Sequence, residues 1–391
     1  MRIAFSPQEE AFRQEVHAYL EAEVPAWYRG VFVYPPDECE RAWQFSMQFA
    51  RKLARKGWLT RSWPRELGGQ GASPVEQLIF AEEMEYFFEP RGAYELGAGF
   101  VSWIIIRHGS EEQKARFLPP IARAEVIWSQ GFTEPDSGSD LASLKTSAVL
   151  QGDHFLVNGQ KIYTSYAEHA DWYLLAARTD PDLPKHQGIS LLLVDMHSPG
   201  IHIRPIPAVF GMHFNQVFLE NVLVPRENLV GPLNGGWRIM MSALEHERSY
   251  DPSYMRAQRR LEELVRLAAQ RPWNGRRLLD KPSVRMALAD MAIAIQASRL
   301  LCYRVWWMRQ EGKPLTYEAS ALHVFNIERA RQFEAAIAVL GRELQLDPGD
   351  PLAPLAGDLA SAWRWGRCRV GAGTAEVNKQ VIARRGLGLP R

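Results

Sequence analysis

The chain is poor in cysteine, with three in 391 residues (Cys39, Cys302 and Cys368), far apart and without a CxxC pair. An odd, scattered set argues against a disulfide framework or a thiolate zinc site and fits a reducing compartment. Neither sign of charge is in excess: Lys and Arg total 46, Asp and Glu 45. A net charge of +1 without a basic block argues against a polyanionic partner, so no nucleic acid is expected. The first residues, MRIAFSPQEEAFRQEV, lack the basic flank and apolar segment of a secretory signal. Long apolar runs are missing too. Residues 93–106 are too short to span a bilayer, and 286–307 are interrupted by Asp290, Gln296, Arg299 and Arg304. These absences predict a soluble, cytoplasmic protein with no membrane partner.

Several chemical signatures are also lacking. There is no GxxxxGK[ST] for nucleoside triphosphates, no HExxH and no GxSxG nucleophile elbow. Gly97-Ala98-Gly99 and Gly371-Ala372-Gly373 each lack the third glycine of a dinucleotide fingerprint. The ten histidines do not cluster at ligand spacing, so no metal is expected.

What the chain does have is apolar material: 46% hydrophobic residues, including 13 Trp, which excludes global disorder. At about 100–200 residues per domain, the length suggests roughly three domains. The first part reads as helix. Ser6-Pro7-Gln8-Glu9 has the pattern of a capped start, and Ala42, Phe45, Phe49 and Leu53 recur at helical spacing before Gly57. Helical pattern resumes after the Gly-rich turn at 67–71 and runs to Pro119-Pro120. The period then changes. Strands are predicted at 154–157, bounded by turn signals at 151–153 and Asn158-Gly159, and at 171–177, 189–195, 201–206 and 216–224. From Gly235-Gly236-Trp237 the pattern is helical again, broken near 271–282 and 347–354. Helix, β and helix in three blocks predict an α+β fold with domains at 1–125, 126–232 and 233–391.

The segment Thr133-Glu134-Pro135-Asp136-Ser137-Gly138-Ser139-Asp140, taken alone, is a turn closed by its own side chains. It is not alone. Pro64-Arg65-Glu66-Leu67-Gly68-Gly69-Gln70-Gly71 precedes it. Asn158-Gly159-Gln160-Lys161-Ile162-Tyr163, Val224-Pro225, Gly235-Gly236-Trp237, Glu247-Arg248 and Gly373-Thr374-Ala375-Glu376-Val377 follow in order. The series resembles the acyl-CoA dehydrogenase family over nearly the whole chain. The resemblance implies a helical N-terminal domain, a β-barrel or sandwich-like middle domain and a C-terminal four-helix bundle. It also implies FAD-dependent oxidation of an acyl-CoA thioester to the trans-2-enoyl-CoA, with electrons passed to an electron-transfer flavoprotein. Carried over by position, Thr133, Gly138, Ser139, Tyr163, Ser165, Thr374 and Glu376 would contact the FAD. Tyr163 stands where the family usually has Trp, and Ser165 where it has Thr. Ser139 and the backbone N–H of Ala372 would also serve the substrate.

The catalytic base departs from the commoner family pattern. Ala372-Gly373-Thr374 stands where most members carry Glu-Gly-Thr, so the usual carboxylate is missing. Leu244-Glu245-His246-Glu247-Arg248 offers another. At about 100° per residue, Trp237, Met240, Met241, Leu244 and Arg248 share a helical face, with Glu247 and Glu245 about 80° to either side. Helix geometry leaves both open. The resemblance, to the group whose base lies in an earlier Glu-Arg pair, favours Glu247 as the base with Arg248 orienting it. Arg271 matches an Arg that reaches the FAD diphosphate of a neighbouring subunit, though the Phe that follows it in the family is absent. A Gly-Gly-x-Gly element is reduced to Gly341-Arg342-Glu343. The resemblance implies a homodimer or homotetramer. The altered motifs keep a second reading open: a non-catalytic or half-site subunit of a heteromeric acyl-CoA dehydrogenase, for example one acting on bulky or steroid side-chain thioesters.

Overall fold

The computed structural model describes residues 4–31, 36–208, 213–249, 251–340, 357–367, 371 and 373–390. Serine caps begin the N-terminal helices. Ser6 starts α1 (Pro7–Glu23), Ser73 starts α3 (Pro74–Tyr86) and Ser110 starts α5 (Glu111–Ala122). Each serine hydroxyl accepts from the backbone N–H three residues on, and the Glu or Gln there reaches back to the cap N–H. These reciprocal bonds satisfy donors that a helix start otherwise leaves open. Between them lie α2 (Pro36–Arg55), a π-helix at Leu96–Val101 and α4 (Ser102–His108). Pro119 and Pro120, expected to stop a helix, instead occupy the last turns of α5.

Among the described residues eight strands follow: β1 (Trp128–Gly131), β2 (Ser147–Gln151), β3 (His154–Thr164), β4 (Trp172–Arg178), β5 (Ile189–Asp195), β6 (Ile201–Pro207), β7 (His213–Pro225) and β8 (Leu229–Val230). They form one sheet in the order β6-β7-β3-β2-β4-β5-β8, with β1 parallel to β4. Among the described residues no pairing joins β6 to β8, so the sheet is open and the expected barrel is not closed. The second difference is at Asn158-Gly159, which does not turn the chain. β3 passes straight through it, with a register shift against β7 between Val157 and Gly159. Gly159 has φ +150°, and a Cβ there would lie 2.5 Å from Thr146 Oγ1, so the glycine serves a close strand crossing rather than a hairpin.

The C-terminal helices are α6 (Gly236–Arg248), α7 (Tyr254–Gln270), α8 (Pro282–Gln310), α9 (Glu318–Leu340), α10 (Asp358–Arg367) and α11 (Ala375–Val381). The break expected after Arg271 is a small hairpin, Pro272–Trp273 against Arg276–Arg277; the other break, at 347–354, lies outside the described residues. By length and composition α8 could cross a membrane. Its Leu288, Met291, Ile295, Cys302 and Trp306 pack instead into the bundle core. That core is separate from a larger one, which runs without interruption from Val16 and Leu20 through Trp128 and the sheet to Met240 and Ala243. The N-terminal helices and the sheet thus share one interior, and α6 closes it.

Candidate active site

The TEPDSGSD loop is fixed by an ion pair in its interior. Glu134 is buried, and its carboxylate accepts from the Lys145 N–H at 2.7 Å, the Thr146 N–H at 2.8 Å and Lys161 Nζ at 2.8 Å. Lys161, fully buried on β3, also donates to the Phe132 carbonyl at 3.1 Å. Burial would raise the Glu134 carboxyl, but Lys161 and the N–H donors hold it below the ordinary range. Burial likewise draws Lys161 down to about 8, against the pull of Glu134. The Thr133 carbonyl accepts from the Ile162 N–H at 2.9 Å, which stitches the loop to the same strand.

Held this way, Thr133, Gly138 and Ser139 face a cavity of about 2560 Å³ walled by all three blocks of the chain. A pocket for one drug-sized molecule is about 300–1,000 Å³, so this space suits more than one large ligand. Tyr163 and Ser165, at and just beyond the end of β3, line it, as does Thr374 at the cap of α11. The Tyr163 ring is 59% exposed, edge-on to Phe214 at 6.0 Å, with its backbone at φ +58°. A flat ring presented to a cavity that Thr133, Ser139, Ser165 and Thr374 also line is a platform for a planar ligand.

Another part of the wall comes from α6, whose start is pinned to β5. A Cβ on Gly236 would lie 2.8 Å from Ser190 Cα, so the glycine lets the helix begin against the strand. Trp237, Met241, Leu244, Glu247 and Arg248 then face the cavity, while Ile239, Met240 and Ala243 enter the core. Glu245 lies off the cavity wall. Glu247 is exposed to the cavity, and its carboxylate makes no hydrogen bond or ion pair with a described residue. Desolvation first, then the Glu95 carboxylate, push it up to about 7 against the pull of Arg248. Its neighbour His246 stacks on Trp103 with ring centres 4.7 Å apart, and burial with Arg309 and Arg107 draws it down to about 2, so it is neutral.

Of the residues singled out in the sequence, Thr133, Gly138, Ser139, Tyr163, Ser165, Glu247, Arg248 and Thr374 meet at this one cavity. Arg271, at the end of α7, and Glu376, exposed on α11, are not on its wall. Ala372, Gly341, Arg342 and Glu343 lie outside the described residues; Gly371 and Gly373, on either side of Ala372, line the cavity. Glu89, Arg91, Glu95 and Tyr166 were not foreseen and belong to it. The signal that could have found Glu95 is the glycine pair Gly97 and Gly99. It fails as a dinucleotide motif but marks a π-helix, a distortion often found at functional sites.

Three family descriptions match successive parts of the chain: "Acyl-CoA dehydrogenase, N-terminal domain" at 6–125, "middle domain" at 129–222 and "C-terminal domain" at 234–387. The chain belongs to the acyl-CoA dehydrogenase family and is an oxidoreductase of that kind. Acyl-CoA dehydrogenase FadE26 of Mycobacterium tuberculosis is 33% identical over 100% of this chain and 99% of its own length. Among solved structures, one described as "Tcur3481-Tcur3483 steroid ACAD" superposes with TM-score 0.90 at 32% identity, covering 100% of both chains. The ChsE4-ChsE5 complex from Mycobacterium tuberculosis gives TM-score 0.89 at 33% identity, again over 100% of both.

Proposed function

We propose that this chain catalyses the FAD-dependent α,β-dehydrogenation of an acyl-CoA thioester to the trans-2-enoyl-CoA, with Glu247 as the base. The observation that carries the reading is a carboxyl raised to about 7, without a hydrogen bond to any described residue, in the same cavity as the Tyr163 platform. The residues present fit a flavin dinucleotide: an exposed aromatic ring, the hydroxyls of Thr133, Ser165 and Thr374, and room for a second large ligand. Bound there, the flavin supplies the acceptor for the β hydride.

The protein's own residues do the rest. Glu247 takes the α proton, and a base near neutrality is matched to that task at working pH. Arg248, beside it on α6, opposes the rise in its pKa, and the role of orienting it is assigned to Arg248 from the family resemblance alone. Ser139 and the Ala372 backbone N–H are assigned to the substrate, where an N–H donor stabilises charge developing on the thioester oxygen. Leu244, Met241 and Phe100 offer the acyl chain an apolar part of the wall. Electrons leave to an electron-transfer flavoprotein, and the cytoplasmic setting belongs to the same proposal.

An oligomer is part of this reading. Met286, Ile293 and Leu300 are 64%, 67% and 45% exposed at seven-residue steps on α8, an apolar stripe suited to another subunit. The two structural neighbours named above are both described as pairs of proteins, which favours a second reading: this chain as one subunit of a heteromer, with Arg271 and Glu376 serving an adenosine site at a subunit boundary. One preparation separates the two. Yellow protein purified alone, bleached by an acyl-CoA and releasing enoyl-CoA, supports the homo-oligomeric enzyme. Protein that is colourless until co-expressed with a homologue supports the heteromer. Flavin-loaded protein that no acyl-CoA bleaches in either form sinks the dehydrogenase reading.

A further inference from the structure

We propose that Glu95 selects the acyl group, and that the substrate is a CoA thioester whose acyl portion carries a hydroxyl donating to the Glu95 carboxylate. The inference rests on the dehydrogenase reading and narrows its substrate class.

Glu95 stands at the start of the π-helix Leu96–Val101, and its side chain folds back over that helix. A Cβ on Gly99 would lie 2.8 Å from Glu95 Oε1, so the glycine leaves the room that the carboxyl occupies. The carboxyl lines the cavity and makes no hydrogen bond or ion pair with a described residue. The charged groups that act on it are Arg91, Glu89 and Glu85, while Leu96, Phe100, Trp103 and Leu244 give the same cavity an apolar lining. It lines the same cavity as Glu247, whose ionisation its charge opposes.

Three kinds of acyl group can be weighed against this arrangement. A plain hydrocarbon would cover Glu95 and leave a buried carboxyl unsatisfied, which is costly. An acyl group ending in a carboxylate would need a cation. Arg91 is the nearest candidate, but its Nε and Nη2 are already held by Glu89 at 2.6 and 2.8 Å, while Glu95 itself would repel the anion. A hydroxyl satisfies the site, because a carboxyl accepts from it in either protonation state. Burial raises Glu95 and Arg91 opposes the rise, and neither effect changes that conclusion.

The test compares two CoA thioesters of the same carbon skeleton, one with a hydroxyl on the acyl portion and one without. A series of hydroxyl positions is used. Binding is measured by calorimetry on flavin-loaded Glu247→Gln protein, in its native assembly, so that neither compound is consumed. At one position the hydroxylated compound is expected to bind about 10- to 100-fold more tightly, the range for a hydrogen bond to a charged group. Glu95→Leu should abolish or reverse the preference, while Glu95→Gln, which keeps an acceptor oxygen, should retain most of it. Flavin content shows that each variant is folded. If Glu95→Leu does not fold, the native preference and its persistence in Glu95→Gln decide. Equal binding of both compounds at every position, or a preference that survives in Glu95→Leu, overturns the proposal. If neither compound binds and wild-type flavin is never bleached, the dehydrogenase reading itself has failed, and this inference with it.

Discussion

At the scale of single residues, Glu247 joins two properties that pull in opposite directions: access to a cavity and poor solvation of its charge. The consequence is a pH dependence. A base must be ionised to act, so kcat/KM of the free enzyme should rise through about pH 7 and level above it. Glu247→Gln should lower kcat by about 10²- to 10⁴-fold without loss of flavin. A variant that turns over normally would remove Glu247 from the mechanism. The same carboxyl bears on stability. Its folded pKa lies above the ordinary 4.5, so between about 4.5 and 7 the folded state holds a proton that the unfolded state has released. Stability is therefore lost as pH rises across that window. The melting temperature of Glu247→Gln should exceed that of wild type by a margin that grows from pH 4.5 to 7 and is constant above. A margin independent of pH would mean that the group is not raised. The sequence could not separate Glu245 from Glu247, because both flank the same helical face at equal angles. Only the packing of α6 against β5, set by Gly236, decides which one meets the cavity.

Elements show where local signals carried and where they did not. Strand 189–195 and the capped start at Ser6 were legible because each is set by its own residues. Asn158-Gly159 was misread, since a dipeptide that favours hairpins in isolation is overridden when the flanking residues pair with β7 on both sides. The open sheet was also illegible, because closure depends on partners far along the chain. Lys161 gives a test at this scale. It is the buried anchor of the TEPDSGSD loop, so Lys161→Met should cost about 3–5 kcal/mol in denaturant unfolding by leaving Glu134 charged and unpaired. Glu134→Gln added to it should recover part of the loss. If the single variant were neutral, the ion pair would not be what holds the loop.

For the whole molecule, balanced charge and scattered cysteines described the surface and the chemistry the chain avoids, but not how its parts join. The exposed stripe on α8 makes a prediction about assembly. Met286→Lys with Ile293→Lys should shift the protein to a smaller species in size-exclusion chromatography while leaving helix content unchanged. An unaltered elution volume would place the subunit contact elsewhere. Among the described residues the largest core spans the first two blocks and α6, a second lies in the bundle, and a small third joins Tyr28, Ala42 and Phe88. Periodicity reveals which face of an element is apolar. It does not say whose apolar face it will meet.

That shared interior gives the molecule a timetable. Trp58, Phe80 and Ile104 are made early, yet the core they enter is completed only by Met240 and Ala243. At about 5–20 residues per second, the gap of over a hundred residues lasts on the order of ten seconds of synthesis. Through that interval the nascent helices carry uncovered tryptophan and phenylalanine, which makes the growing chain, more than the finished one, the form in need of a chaperone.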